Sequence, residues 1–428
     1  MFRTMKDAVD YIQSRSNLGI KPGLSRVEEM LAYFNNPERK VKVVHIAGTN
    51  GKGSTLTYIK QALIENGYRV GTFTSPSMKE INDDIQVNNV SISDDAFVKL
   101  INKMLPIIEQ LDRDDNPPTE FEIMVIACLL FFEDNVDVAI IETGMGGRED
   151  STNCVNPLLT VLTTIGLDHI KFLGNSYEAI AYHKAGIIKD KVPVVVGKIN
   201  GQAMRVIEDV AKEKQAVLFC YQKDFYETDR TSKDNGNEAF IFKSNELAIP
   251  LEIAMKGNHQ ITNATLACMA LLQLKQLGFS IKFPLLKKGF LSASIPGRFE
   301  KIHSRPDVVV DGAHNTDGVS TFIDTVDRVY SHTKKRLIFA AFKDKPLEEM
   351  ISHLDEHFEK VTFTTFAHER AATSDHLYSL SKNKGKQEEV DWQQAIERTL
   401  YETKEDEVIF ITGSLKFIAL VRSYFENK

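Results

Sequence analysis

Residues 41–55 read Val-Lys-Val-Val-His-Ile-Ala-Gly-Thr-Asn-Gly-Lys-Gly-Ser-Thr, a stretch that leaves the chain few folds to choose from. Its β-branched opening is the run of a buried strand. A glycine-rich turn follows, with Gly48, Gly51 and Gly53. Residues 57–67 then have the pattern of a helix stopped by Asn66-Gly67. Strand, glycine loop and helix in that order make a phosphate cradle. Without Cβ atoms the backbone can approach a triphosphate, and the N–H groups at the helix N-terminus face the anion. Gly48, Thr49, Asn50, Gly51, Lys52, Gly53 and Ser54 are therefore candidate ATP contacts. Lys52 can reach the terminal phosphates, and Ser54 or Thr55 offers a hydroxyl to Mg2+. The plain alternative is an ordinary strand-to-helix turn. Gly53 stands between the lysine and the hydroxyl residue, unlike the common loop of this kind.

Composition narrows the classes. At 428 residues the chain is too long for one ordinary core, so two or three domains are expected. A net charge of −7 argues against nucleic-acid binding. Cys128, Cys154, Cys220 and Cys268 are scattered without a CxxC pair and read as reduced thiols of a cytoplasmic protein. No run reaches the ~18 apolar residues of a membrane span. The N-terminus shows no signal core.

Further strands end in polar residues where a parallel sheet binds its ligands. Residues 137–144 run into Glu142, placed as an acid that holds Mg2+ directly or through water. A bland strand-end acid is the competing reading. Residues 159–165 lead to Asp168 and His169. Imidazole is an unusual Mg2+ ligand, so chemistry alone leaves His169 open between metal and structure. Lys184 lies on a helix over 176–185, where a solvated lysine is the default. Between 216 and 253 short alternating runs read as antiparallel strands added to the parallel sheet. A long apolar helix opens at Gly257-Asn-His-Gln260-Ile-Thr-Asn263, where caps alone would explain the polar groups. After Pro296-Gly297-Arg298 a smaller α/β set of strands follows without a second phosphate loop. The expected domains are 1–295 and 296–428.

Taken together, Gly48–Ser54, Gly144–Asn153, Gly166–His169, Gly257–Ala264, Pro296–Glu300 and Asp311–Asn315 resemble the Mur-ligase superfamily, in its folylpolyglutamate/dihydrofolate synthase branch. The resemblance implies a P-loop-type, mostly parallel α/β domain and a smaller C-terminal Rossmann-like domain. It implies that Ser54, Ser75, Glu142, His169 and a carbamoylated Lys184 surround two Mg2+ ions, with Lys52, Lys184 and His169 catalytic. By the same resemblance Gln260 and Asn263 face adenine and ribose, and Arg298, Asp311 and His314 contact ATP from the second domain. The implied reaction joins L-glutamate to a folate, dihydropteroate or both, through an acyl phosphate, in a cytoplasmic monomer with no nucleic-acid or membrane partner. A cleft closing between the domains would keep water from that intermediate. This chain departs from the family pattern at Ser77 and Asp84, where histidine and arginine are usual, and at Ser151 and His183. Pterin binding is where the first two departures bear. The short stretch before the first strand leaves no room for the nucleotide-sugar domain of cell-wall ligases. Such a ligase, and a non-catalytic nucleotide switch, are the alternatives.

Overall fold

Eight strands form one sheet in the computed structural model, which describes residues 1–77, 80–233, 236–245 and 247–427. They are β1 (Val43–Ala47), β2 (Val70–Phe73), β3 (Ile85–Val87), β4 (Val90–Ser91), β5 (Val138–Glu142), β6 (Leu159–Leu162), β7 (Val194–Val196) and β8 (Leu218–Cys220). Their order is β4-β3-β2-β5-β1-β6-β7-β8, parallel from β2 to β8, with β3 and β4 antiparallel at one edge. Helices cover the parallel strands, so β1 is buried along its whole length and reads as a continuous apolar run.

A separate antiparallel sheet holds β9 (Phe225–Ser232), β10 (Glu238–Ser244) and β11 (Leu247–Ile253). This corrects one expectation. The run at 217–221 is not antiparallel: β8 pairs parallel with β7 and ends the large sheet. The other three strands make their own sheet. Alternation alone reports one buried face, and it carries no information about which sheet a strand joins. The turn read at 232–236 includes Asp234 and Asn235, which lie outside the described residues.

A third sheet comprises β12 (Glu300–His303), β13 (Asp307–Val310), β14 (Lys335–Phe339), β15 (Lys360–Thr365), β16 (Lys386–Asp391) and β17 (Val408–Thr412), in the order β12-β13-β17-β14-β15-β16. Only β12 is antiparallel to its neighbour. The chain divides into two compact units, Met1–Ala254 with Gln260–Ala293, and Met255–His259 with Ser294–Lys428. The second unit has its own core around Phe322, Phe339, Phe363 and Phe410. All four cysteines are free thiols. No described helix is long and apolar enough to cross a membrane.

Two local features set the loop's support. The phosphate-loop helix, Lys52–Glu65, packs against the helix Phe283–Ser292 with no room for a side chain between them. A Cβ at Gly289 would lie 2.6 Å from the Ala62 backbone. Gly289→Ala is expected to cost about 1–3 kcal/mol by overpacking. A urea unfolding curve that does not move would contradict that close approach.

His45, in the middle of β1, is fully buried, and its Nε2 lies 2.9 Å from Thr152 Oγ1. Burial, with a smaller push from the Lys189 charge, lowers its pKa from 6.5 to about 3. The folded state therefore holds this imidazole neutral, while the unfolded chain protonates it below pH 6.5. Its contribution is complete above that pH and is lost as pH falls toward 3, by roughly 1.4 kcal/mol per unit. His45→Gln should flatten the fall in stability between pH 6 and 4 relative to wild type, as read by urea unfolding at each pH. Parallel slopes would show that His45 does not titrate this way.

Candidate functional site

The sheet register brings the proposed residues to one rim of the first unit. Ile46 pairs with Glu142, and Ala47 pairs with Leu162. The loop after β1 thus leaves the sheet beside the ends of β5 and β6. Thr163, just past β6, presses against Gly48, where a Cβ would meet its Oγ1 at 1.8 Å. Only glycine fits there. Several polar contacts then fasten the loop to the β6 exit. Thr49 N–H donates to Thr164 O (2.9 Å), and Asn50 N–H to Thr164 Oγ1 (3.0 Å). Thr163 Oγ1 donates to Asn50 O (2.7 Å), and Gly166 N–H donates to Thr49 Oγ1 (2.9 Å).

Gly51 caps the helix in the left-handed region, φ 85°, a conformation that glycine reaches without strain. Asn263 sits against it: a Cβ at Gly51 would lie 2.6 Å from Asn263 Oδ1. Gln260 Nε2 donates to Ser54 Oγ at 3.2 Å. Gln260 and Asn263 are both buried, and their observed contacts brace the loop itself. Lys52 Nζ donates to Gly48 O (3.0 Å) and Thr49 O (3.3 Å) and lies 3.7 Å from Glu142 Oε1.

Lys184 is the least expected group on this rim. It is 5% exposed, and no described residue accepts a hydrogen bond from its ammonium. Burial, reinforced by the Lys52 charge, lowers its pKa to about 7, against the opposing pull of Asp168, Asp150 and Glu142. A buried amine held near neutrality among three carboxylates and a phosphate loop suits conversion to a carbamate anion. Glu142 and the Ser54 hydroxyl supply oxygen donors, the chemistry Mg2+ prefers. Ser75 follows β2 at the same edge, since Phe73 pairs with Ile141 one residue before Glu142.

His169 is the more open member of this rim. Its side chain is 46% exposed, its backbone is left-handed at φ 51°, and its Nε2 lies 3.9 Å from Asp168 Oδ2. Among the described residues no three His, Cys, Asp or Glu side chains converge as a ready-made metal site. Serine hydroxyls fall outside such a set.

Asp150, within the Gly144–Asn153 stretch, organises the turn after β5. It accepts from Met145 N–H (2.7 Å), Thr152 N–H (3.0 Å) and Thr152 Oγ1 (2.5 Å). Because Thr152 gives its proton to Asp150, its lone pair receives His45 Nε2–H, which ties the turn to β1. A buried acid followed within two residues by threonine is the local signal for such a turn. Asp84 is buried too, and its Oδ1 has no partner. Burial first, then Asp83, Glu120 and Glu142, raises its pKa to about 8. Ser77 is described, whereas Met78 and Lys79 of the same loop lie outside the described residues.

In the second unit Arg298, Asp311 and His314 gather at the end of β13. Asp311 accepts from Phe299 N–H and Ala313 N–H, each at 2.8 Å. Arg298 Nη1 would lie 3.2 Å from a Cβ at Gly312, and His314 Nδ1 is 2.8 Å from Gly312 O.

Known proteins resemble this chain over nearly its whole length. Residues 46–271 match the Mur ligase middle domain, and residues 297–415 match the Mur ligase glutamate ligase domain. A dihydrofolate synthase/folylpolyglutamate synthase of Bacillus subtilis is 39% identical over 427 residues, 99% of each chain. The folylpolyglutamate synthase structure from Thermotoga maritima superposes with a TM-score of 0.86 at 30% identity, covering 99% of this chain and 96% of that one. An FPGS–AMPPCP complex gives 0.87 at 29% identity, covering 99% and 100%. The chain belongs to the Mur ligase family, among the folylpolyglutamate and dihydrofolate synthases.

Proposed function

We propose that this chain is an ATP-dependent carboxylate–amine ligase that adds L-glutamate to folates, with dihydropteroate as a further acceptor. It would work as a cytoplasmic monomer, with neither nucleic acid nor membrane as partner. The carrying observation is the convergence of Lys52, Glu142 and Lys184 beside the glycine loop. A relative that binds an ATP analogue, AMPPCP, and full-length relatives named for both synthase activities support the reading. Nothing favours a cell-wall ligase or a switch over it.

Amide formation from a carboxylate needs activation, because a carboxylate is a poor electrophile. Phosphoryl transfer from ATP gives an acyl phosphate, and the glutamate amine displaces phosphate through a tetrahedral intermediate. The loop N–H groups and Lys52 hold the transferred group and neutralise its charge as it moves. Thr163, Thr164, Gln260 and Asn263 keep the loop in that shape. Ser54, Ser75, Glu142, His169 and carbamoylated Lys184 are the residues that would hold Mg2+. Bound there, Mg2+ would supply charge neutralisation between the terminal phosphate and the acceptor carboxylate. Arg298, Asp311 and His314 are proposed nucleotide contacts of the second unit.

ADP release should require both a folate or dihydropteroate acceptor and L-glutamate. Acceptor-dependent ADP release without incorporation of labelled glutamate would overturn the ligase assignment. Lys52→Ala and Glu142→Gln should each lower kcat by about 10²–10³-fold, as for loss of a group that stabilises transferred charge. For Lys184, its neutral amine predominates above about pH 7. Removing dissolved carbon dioxide should therefore reduce activity, added bicarbonate should restore it, and Lys184→Arg should be inactive with or without bicarbonate. Activity indifferent to bicarbonate would remove the carbamate from the scheme.

A further inference from the structure

We propose that Arg148, stacked on Tyr182, forms a carboxylate subsite that holds the γ-linked glutamyl tail of the acceptor; this rests on the folate reading above. The Arg148 guanidinium carbon lies 4.0 Å over the Tyr182 ring. Its stem packs on Gly186, where a Cβ would come within 2.3 Å of Arg148 Cβ. Its N–H donates to His183 O (2.7 Å), and its carbonyl accepts from Asn153 Nδ2 (3.0 Å). Asn153 Nδ2 also reaches Gly186 O at 3.1 Å, locking the turn to the helix Tyr177–Ala185. Backbone, stem and ring face are therefore all held.

The donors are not used. Nε is buried without a partner, and no described residue accepts from the guanidinium. Glu149, next in the chain, does not pair with it. Three other buried or half-buried arginines are matched at Nε: Arg26 to Glu122 at 2.8 Å, Arg336 to Glu407 at 3.1 Å, Arg422 to Glu300 at 2.7 Å. Arg15 Nε also lacks a partner, but its Nη atoms pair with Asp112, so its charge is matched. A preset, unmatched fork is costly to keep unless an acceptor arrives from outside. Tyr182 is 49% exposed, so the pair is open to such an acceptor.

Its position suits a tail and not the reacting carboxylate. Arg148 lies six residues after Glu142, and Tyr182 lies two before Lys184. At about 100° per helical residue, Tyr182 and Lys184 leave the helix on nearly opposite sides. The fork thus neighbours the reacting rim without entering it. A γ-glutamyl chain presents one free α-carboxylate per unit, and a planar guanidinium binds a carboxylate through two parallel N–H bonds that an ammonium cannot copy.

The test is calorimetric binding of p-aminobenzoyl-tri-γ-glutamate to the full chain, which needs no turnover. Arg148→Lys and Arg148→Gln should each raise Kd about tenfold, the loss of a charge-assisted pair, with unchanged melting curves. Tyr182→Phe should bind like wild type, and Tyr182→Leu should bind more weakly. In steady-state assays Arg148→Lys should raise KM more for a triglutamyl than a monoglutamyl acceptor, with kcat and the KM for L-glutamate unchanged. No binding by wild type, an unchanged Kd in both arginine variants, or a rise confined to the KM for L-glutamate would each overturn the proposal. Arginine-dependent binding by a chain without ligase turnover would sink the ligase reading and leave this subsite standing.

Discussion

Steric contact between Gly48 and Thr163 governs the whole rim. A phosphate loop is useful only if its N–H groups point outward together, and a free loop would spend them on itself. Here the exit of β6 supplies the constraint. Threonine hydroxyls and carbonyls engage Thr49 and Asn50 from one side, while Gln260 and Asn263 brace Ser54 and Gly51 from the other. Backbone shape is thus set by neighbours far away in the chain, and the glycines are needed because those neighbours come so close.

The second determinant is electrostatic. Lys52, Glu142, Lys184, Asp150 and Asp168 interact within a largely buried region, where each charge is felt more strongly than in water. Lys184 responds by moving toward neutrality, because it is buried and has no hydrogen-bond partner among the described residues. His45 responds by staying neutral, and Asp150 by collecting three donors. The same fold thus holds one lysine paired, one lysine near neutrality and one histidine uncharged. Burial and the number of available partners account for the difference.

Much of this layout was legible in the chain. The glycine loop, the apolar strands that end in Glu142 and before His169, and the change of pattern after Pro296 all carry local signals. Less was legible where strands are very short or edge-placed: β3 and β4 span three and two residues, too few for periodicity to show. The sheet to which the run at 217–221 belongs was also hidden, because partner choice is a long-range matter. Arg148 illustrates the same limit. An arginine can serve as a carboxylate clamp or as half of a salt bridge, and only the stacking on Tyr182 and the lack of a protein acceptor distinguish the two here.

By itself the sequence determined residue chemistry and local geometry: which turn needs glycine, which strand is buried, which side chains can carry phosphate, metal or carboxylate. Those properties depend on neighbours a few positions away. Tertiary structure alone decided which of these groups share a rim, which are stripped of water and which keep unspent donors. Burial and distance between remote residues set those outcomes, and neither quantity exists until the strands have found their order.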